Sequence, residues 1–146
     1  MDFSDKPHNQ NSLHIHQESQ LRQWPVQLHL ISPQVPYYQN HDVLLTADCV
    51  AYVLGDYHTK YLKGKSLAIA CPKLDSDTEV YVEKLRSLID DAKITTLTVM
   101  VMEVTCCRGL VGLVEKALEQ SSRKIPINVI IVGIQGNILK EEHLYP

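Results

Sequence analysis

The cysteines are the residues of this chain whose type and spacing best suit chemistry. Four are present, at Cys49, Cys71, Cys106 and Cys107, and each closes or directly follows an apolar run that is typical of a buried parallel strand. In open α/β sheets, ligands bind in the crevice outside the carboxyl ends of the strands. Sulfurs that are far apart in the sequence are therefore predicted to converge on the ligand-binding edge of the fold.

Converging thiolates would favour a soft metal. Thiolates select zinc, copper(I) or iron–sulfur clusters, and a set of four would complete a tetrahedral zinc site or hold a cubane cluster. The C-x₂-C spacing that marks most such sites is absent, so tertiary structure would have to bring the ligands together. Cys49, Cys71, Cys106 and Cys107 are accordingly the predicted ligands of an iron–sulfur cluster such as 4Fe-4S, or alternatively of zinc.

The adjacent cysteines are expected to be inequivalent. Neighbouring side chains in an extended segment point to opposite sides, so either one thiol ligates and the other packs, or a turn brings both inward. Cys49, Cys71 and Cys107 also lie at or shortly before predicted helix N termini. The partial positive charge at a helix start stabilises thiolates, which favours Cys107 over Cys106 as the ligand.

Polar residues beside the cysteines are candidates for a supporting role. They are Asp48, Lys73 and Glu103. The carboxylates would orient a ligand or take a proton, and the lysine would supply positive charge to a cluster or an anionic substrate. Each also has an ordinary alternative role as a helix cap or a solvated surface group. No catalytic residue is identified, and whether the protein is an enzyme stays open.

The elements that must position these residues alternate between apolar strands and amphipathic helices. Val, Ile and Leu runs of this kind favour a parallel sheet that is covered on both faces, with right-handed crossovers. The predicted fold is a doubly wound α/β domain with a mostly parallel sheet of about five strands. Helices are predicted from Cys49 to Gly64, from Ser76 to Ala92 and from Leu110 to Leu118. The strands are predicted at 26–31 (an edge strand), 43–48, 67–70, 97–104 and 127–132.

Composition and length restrict the class of protein. Residues 1–20 are polar and predicted to be a flexible N-terminal segment, whereas residues 21–146 are predicted to form one α/β domain with its own core. The net charge of -3 does not favour binding to nucleic acid. No apolar segment is long enough to predict a membrane span, and the polar start is unlike a signal peptide, so a cytoplasmic location is expected.

Phosphate-binding and hydrolase motifs are missing from the sequence. There is no G-x-G-x-x-G after a strand, no G-x-x-x-x-G-K-[ST] and no G-x-S-x-G. A dinucleotide or nucleoside triphosphate site would therefore lack its phosphate cradle, and a nucleophile elbow is excluded.

Around the cysteines, the chain resembles a known family. It is similar to the C-terminal cysteine-containing α/β region of uncharacterised 4Fe-4S ferredoxin-type iron–sulfur binding proteins of anaerobic bacteria and archaea. The similarity covers nearly all of residues 21–137. The matching stretches are Leu21-Arg22-Gln23-Trp24-Pro25-Val26-Gln27-Leu28, Ala47-Asp48-Cys49-Val50, Tyr61-Leu62-Lys63-Gly64-Lys65, Cys71-Pro72-Lys73-Leu74-Asp75 and Met102-Glu103-Val104-Thr105-Cys106-Cys107.

The chain also departs from that family's pattern. Members typically carry a ferredoxin module with C-x₂-C-x₂-C repeats before this region, whereas residues 1–20 here contain no cysteine. Members tend to have Pro before the paired cysteines and Gly-Gly after them, where this chain has Thr105 and Arg108-Gly109. The resemblance implies a redox role, and electrons would arrive from a separate ferredoxin-like carrier.

Functions of other classes stay open at this point. One is a non-enzymatic interaction module that is stabilised by zinc or needs no cofactor. Another is a thiol redox or soft-metal sensor that uses Cys106 and Cys107. Simple burial is a further explanation for the thiols, because free cysteine is among the most buried residue types.

Overall fold

A computed structural model describes residue 2 and residues 16–145, without the side chains of Cys106 and Cys107. Most of the predicted flexible segment, residues 1–20, therefore lies outside the described residues. The main elements are β1 (Asp42–Ala47), α1 (Val50–Val53), β2 (Ser66–Ala70), α2 (Thr78–Asp90), β3 (Thr96–Met102), α3 (Thr105–Gln120), β4 (Ile127–Val132) and β5 (Ile138–Tyr145). Pro36–Tyr38 forms a short 3₁₀ turn before the first strand, and Tyr57–Leu62 forms a π-helical turn between α1 and β2.

The five strands form one sheet in the order β2-β1-β3-β4-β5. The first four strands are parallel, and β5 pairs antiparallel with β4. This arrangement confirms the predicted doubly wound α/β fold with a mostly parallel sheet. The chain passes from β1 to β2 on one side and then crosses to β3 on the other side, so the topological switch point lies between β1 and β3.

Helical segments cover both faces of the sheet. Thr46 of β1 shares a face with Ile130 because both are in register with Met100 of β3, and Tyr57 packs there through a 2.9 Å hydrogen bond to the Thr46 hydroxyl. Ile131 points to the opposite face. There it lines a cavity with residues of α3, and α2 lies beside α3.

The segment 26–31 is not the predicted edge strand. It forms a single bridge with β2, in which Leu28 N–H donates to the Ile69 carbonyl and Ile69 N–H donates to the Val26 carbonyl, both at 2.8 Å. The N–H groups of Leu30 and Ile31 then turn back to the Gln27 carbonyl, at 2.8 and 3.1 Å. The alternation of apolar and polar residues predicts a strand, but these local hydrogen bonds make the segment a turn.

Gln23 completes the cover of the outer edge of β2. Its side chain is fully buried, and its amide Nε2 donates to the Leu67 carbonyl at 2.8 Å while its Oε1 accepts from Leu67 N–H at 3.1 Å. The Tyr38 hydroxyl also donates to the Leu67 carbonyl, at 2.7 Å. One side chain therefore supplies the pair of hydrogen bonds that a neighbouring strand would make.

The sequence prediction also missed β5 and overextended the first helix. β5 contains consecutive charged or polar residues from Lys140 to His143, so it lacks the apolar run used to find the other strands. The predicted helix from Cys49 to Gly64 is instead α1 followed by the turn Tyr57–Leu62, separated at Leu54, whose backbone is extended. The buried Leu54 side chain still serves the core.

The core is formed by the apolar side chains of the strands and the inner faces of α2 and α3. Fully buried examples are Val43, Leu45, Val99, Leu85 and Val114. No cysteine side chain described in the structure belongs to this core or forms a disulfide. Among the described helices, none combines the length and apolar character needed to cross a membrane.

Candidate functional site

A cavity of about 290 Å³ lies outside the carboxyl ends of the parallel strands, at the switch point. The residues that line it come from the ends of four successive strands. Asp48 and Cys49 follow β1, Cys71 follows β2, Val104 follows β3 and Ile134 follows β4. The fold therefore assembles this cavity from loops that are distant in the sequence.

Cys49 and Cys71 are brought together on this cavity although 22 positions separate them in the chain. The two strands that precede them are parallel and in register, with Ala47 beside Ala70, so both chains leave the sheet at the same edge. Both cysteines are free; Cys49 is exposed and Cys71 is partly buried. Their thiols are thus accessible to a ligand in the cavity.

Cys106 and Cys107 lie in the first turn of α3, which begins at Thr105. Val104, just before the helix, lines the cavity. A Cβ atom placed on Gly109 would lie 3.4 Å from the Cβ of Pro72, so the start of α3 packs against the residue that follows Cys71. The backbone of the paired cysteines therefore reaches the edge of the cavity, and their side chains lie outside the described atoms.

Cys106 and Cys107 lie on a helix, not in the extended segment that the sequence predicts. The predicted strand 97–104 ends at Met102, and the pair is helical instead of extended. Successive side chains on a helix are about 100° apart, not on opposite faces. The inequivalence of Cys106 and Cys107 stays a prediction, but its physical reason is now that the two side chains leave the helix in directions about 100° apart.

Asp48 is the polar group of the cavity whose bonding is incomplete. Its Oδ1 atom is buried and has no hydrogen-bond partner within the described part of the chain. Burial raises the pKa of this carboxyl, and the nearby Asp75 carboxylate raises it further. A buried polar atom without a partner is uncommon in proteins, and it marks Asp48 as a group available to a ligand.

Asp75 is a site residue that the sequence analysis missed. Its Oδ2 atom accepts hydrogen bonds from Cys71 N–H at 2.9 Å, from the Gln27 amide at 3.1 Å and from the Tyr81 hydroxyl. Asp75 N–H donates to the Cys71 carbonyl at 2.8 Å. The loop after β2 is thereby closed around Cys71. A carboxylate four residues after a strand-terminal cysteine was the available signal.

Lys73 and Glu103 are not brought to the cavity. Both side chains are exposed, and neither lines the cavity that holds Cys49 and Cys71. Glu103 extends the pairing of β3 with β4 through its backbone N–H, which donates to the Val132 carbonyl at 2.9 Å. Of the residues proposed to support the thiols, Asp48 therefore has the closest relation to the cavity.

The described side chains do not form a metal site on their own. Among them, no group of three His, Cys, Asp or Glu residues is arranged to hold a metal ion. A site with Cys49 and Cys71 would need ligands from the paired cysteines, whose side chains lie outside the described set. This requirement agrees with the position of α3 at the cavity edge.

Exposed apolar side chains follow each of the four parallel strands, and two of them, Val104 and Ile134, line the cavity. The four are Tyr52 after β1, Leu74 after β2, Val104 after β3 and Ile134 after β4, with exposed fractions of 93%, 83%, 43% and 63%. Every parallel strand thus contributes one large apolar group to the same edge. Clustered exposed apolar groups of this kind are typical of binding surfaces.

Comparison with known proteins identifies the family. A family described as "Rossmann-like domain" matches residues 35–145, a range that contains all five strands and the four cysteines. The chain belongs to the Rossmann-like domain family. This Rossmann-like domain is also similar to an uncharacterized protein of Archaeoglobus fulgidus, with 30% identity over 121 residues that cover 82% of this chain and 83% of the relative. No solved structure matches it.

The residues at the switch point of this Rossmann-like domain differ from those of a dinucleotide-binding fold. Such folds place a glycine-rich turn after β1 and the pyrophosphate at the start of a long helix. Here β1 is followed by Asp48 and Cys49, and α1 has only four residues. The chemistry available at this edge is that of thiols and a carboxyl group instead of a phosphate cradle.

Proposed function

We propose that this Rossmann-like domain binds an iron–sulfur cluster or a single soft metal ion through Cys49, Cys71 and one or both of Cys106 and Cys107, in the service of a redox process. The observation that carries the proposal is the shared cavity of Cys49 and Cys71 at the carboxyl edge of the sheet. The start of α3, with the paired cysteines, borders the same cavity.

The surroundings suit an anionic thiolate site. Val104 precedes α3 and its side chain makes no capping hydrogen bond. The first N–H groups of this helix are therefore not occupied by a capping side chain and would stabilise negative charge in the cavity. Met102, Val104 and Ile134 give the cavity apolar walls, and an apolar shell around a metal site limits the access of water and tunes its potential. A bound cluster would supply one-electron transfer.

A separate ferredoxin-like carrier is the proposed electron partner. The exposed apolar side chains of Val104 and Ile134 line the thiol-bearing cavity, and a partner seated on them would approach a bound cluster closely. The resemblance to 4Fe-4S ferredoxin-type proteins supports the same redox role.

The test is anaerobic purification followed by iron, sulfide and zinc analysis and visible absorption spectroscopy. Iron with sulfide is expected, and single Cys49→Ser and Cys71→Ser variants should lose most of the bound metal because each removes a thiolate ligand. Thr59→Ser is the matched control, because Thr59 is exposed in the neighbouring turn and does not line the cavity.

Other outcomes would identify another function. Zinc without iron would favour a zinc-stabilised interaction module. Absence of any metal after anaerobic reconstitution, together with reversible oxidation of the thiols, would favour a thiol sensor. Metal content that is unchanged in both cysteine variants would overturn the proposed site.

A further inference from the structure

A second cavity, of about 210 Å³, lies on the face of the sheet that Tyr57 covers. Its walls are mainly apolar side chains from residues 21–26, β2 and the turn Tyr57–Leu62, including Val26, Leu62, Leu67 and Ile69. No cysteine described in the structure lines it. This cavity is therefore separate from the thiols of the proposed metal site.

Asp48 provides a polar anchor for this cavity. It lines both cavities, and its Oδ1 atom is buried without a hydrogen-bond partner within the described residues. Tyr57, another polar residue of the wall, already shares a hydrogen bond with Thr46. A largely apolar cavity with one unsatisfied polar group has the composition of a small-molecule site, in which the polar group fixes the ligand's orientation.

The acceptor at this anchor favours a ligand with a hydrogen-bond donor. Asp48 Oδ1 is a carboxyl oxygen without a partner among the described residues. His58 also lines the cavity, but its Nδ1 already accepts the Gln20 N–H at 3.0 Å. A ligand ammonium group would supply the donor that Asp48 Oδ1 lacks, and a charged donor makes a stronger hydrogen bond to a carboxylate than a neutral one does.

The volume restricts the ligand's size. A cavity of about 150 Å³ in another protein binds benzene, so about 210 Å³ accommodates one ring or a branched chain with a short polar arm. We propose that this cavity binds a small primary amine with an apolar body, whose ammonium group donates a hydrogen bond to Asp48. The proposal requires no metal and goes beyond the redox function.

Benzylamine is the probe, and its binding to the metal-free protein is measured by titration calorimetry and ligand-observed NMR. Saturable binding is expected, with benzyl alcohol and toluene weaker by about tenfold or more because they lack the charged donor. Asp48→Asn should lower the affinity for benzylamine by a similar factor and leave that for toluene unchanged. Circular dichroism verifies that each variant is folded.

Variants that fill one cavity at a time locate the site. Ala51 lines only the smaller cavity and is exposed, so Ala51→Phe should block benzylamine binding, whereas Ile134→Phe fills the larger cavity and should leave binding intact. Cys71→Ser should also leave binding intact, which separates this proposal from the metal site. No saturable binding to the wild type, equal affinity of Asp48→Asn, or loss of binding only in Ile134→Phe would overturn the proposal.

Discussion

Replacing Asp75 with asparagine removes the charge from an oxygen atom on which three hydrogen bonds converge. The donors are Cys71 N–H, the Gln27 amide and the Tyr81 hydroxyl. Burial raises the pKa of the Asp75 carboxyl, but these hydrogen bonds outweigh burial and hold the pKa below its ordinary value. The charged form therefore stabilises the folded protein, and Asp75→Asn is expected to weaken it.

The magnitude follows from the three donors. Hydrogen bonds to a charged group contribute about 1.5–3 kcal/mol each, against about 1 kcal/mol for neutral pairs. The asparagine carbonyl oxygen has two lone pairs, so one donor loses its acceptor and the others keep weaker bonds. Because Asp75 is partly exposed, solvent screening reduces the sum, and we expect a loss of about 2 kcal/mol in the free energy of unfolding at pH 7.

Urea and thermal unfolding followed by circular dichroism measure this loss. For a domain of this size, about 2 kcal/mol corresponds to a decrease of roughly 4–8 °C in Tm. The contribution of a lowered carboxyl pKa is present above the ordinary value and lost as the pH falls through the folded-state pKa, so the two proteins should converge in acid. Asp56→Asn, at an exposed aspartate, is the control. A loss that does not diminish in acid, or an equal loss in the control, would refute the reasoning.

Further predictions concern the metal, the vicinal pair and Asp48. If the free metal concentration is a hundred times Kd, anaerobic chelation should lower the free energy of unfolding by about 2.7 kcal/mol. Near-ultraviolet circular dichroism should still show a folded apo form, because the domain has its own core. Complete unfolding on chelation would contradict an independent core. Cys106→Ser and Cys107→Ser should differ in bound metal after reconstitution, with the larger loss at Cys107; equal losses would show that both thiolates ligate. Because burial and Asp75 raise the pKa of the Asp48 carboxyl, wild-type stability falls as the pH rises above the ordinary aspartate value. In urea unfolding, Asp48→Asn should therefore gain stability relative to the wild type as the pH rises above that value; the opposite trend would contradict the raised pKa.

The sequence allowed much of the sheet to be predicted, because four strands are buried on both faces and read as apolar runs. β5 escaped because it pairs on one side only and carries Lys140, Glu141 and Glu142. The prediction of a strand at 26–31 was wrong because the apolar–polar alternation of a half-exposed strand also arises in a turn that buries Leu28 and Ile31. The hydrogen bonds to the Gln27 carbonyl make the segment a turn, and the periodicity of apolar residues cannot predict such bonds.

The candidate site was predictable to the extent that it depends on strand ends. Cys49 and Cys71 follow parallel neighbours, so their placement at one edge follows from the fold class alone. The strand order decides that Ile134 joins the same cavity, and that order was not readable from a single sequence. The role of Asp75 depends on Tyr81 and Gln27 reaching one oxygen atom, which is a tertiary fact.

The amide of Gln23 has a consequence for how copies of this protein meet. By satisfying both backbone groups of Leu67, it closes one border of the sheet to any further strand, and the bridge at Gln27 extends that closure. The opposite border, β5, pairs only with β4 among the described elements. Its charged residues 140–142, which include the ion pair of Lys140 with Glu142 at 3.2 Å, disfavour the addition of another strand. Growth of the sheet is thus limited at one border by hydrogen bonds that are already satisfied and at the other by charged side chains that would have to lose water.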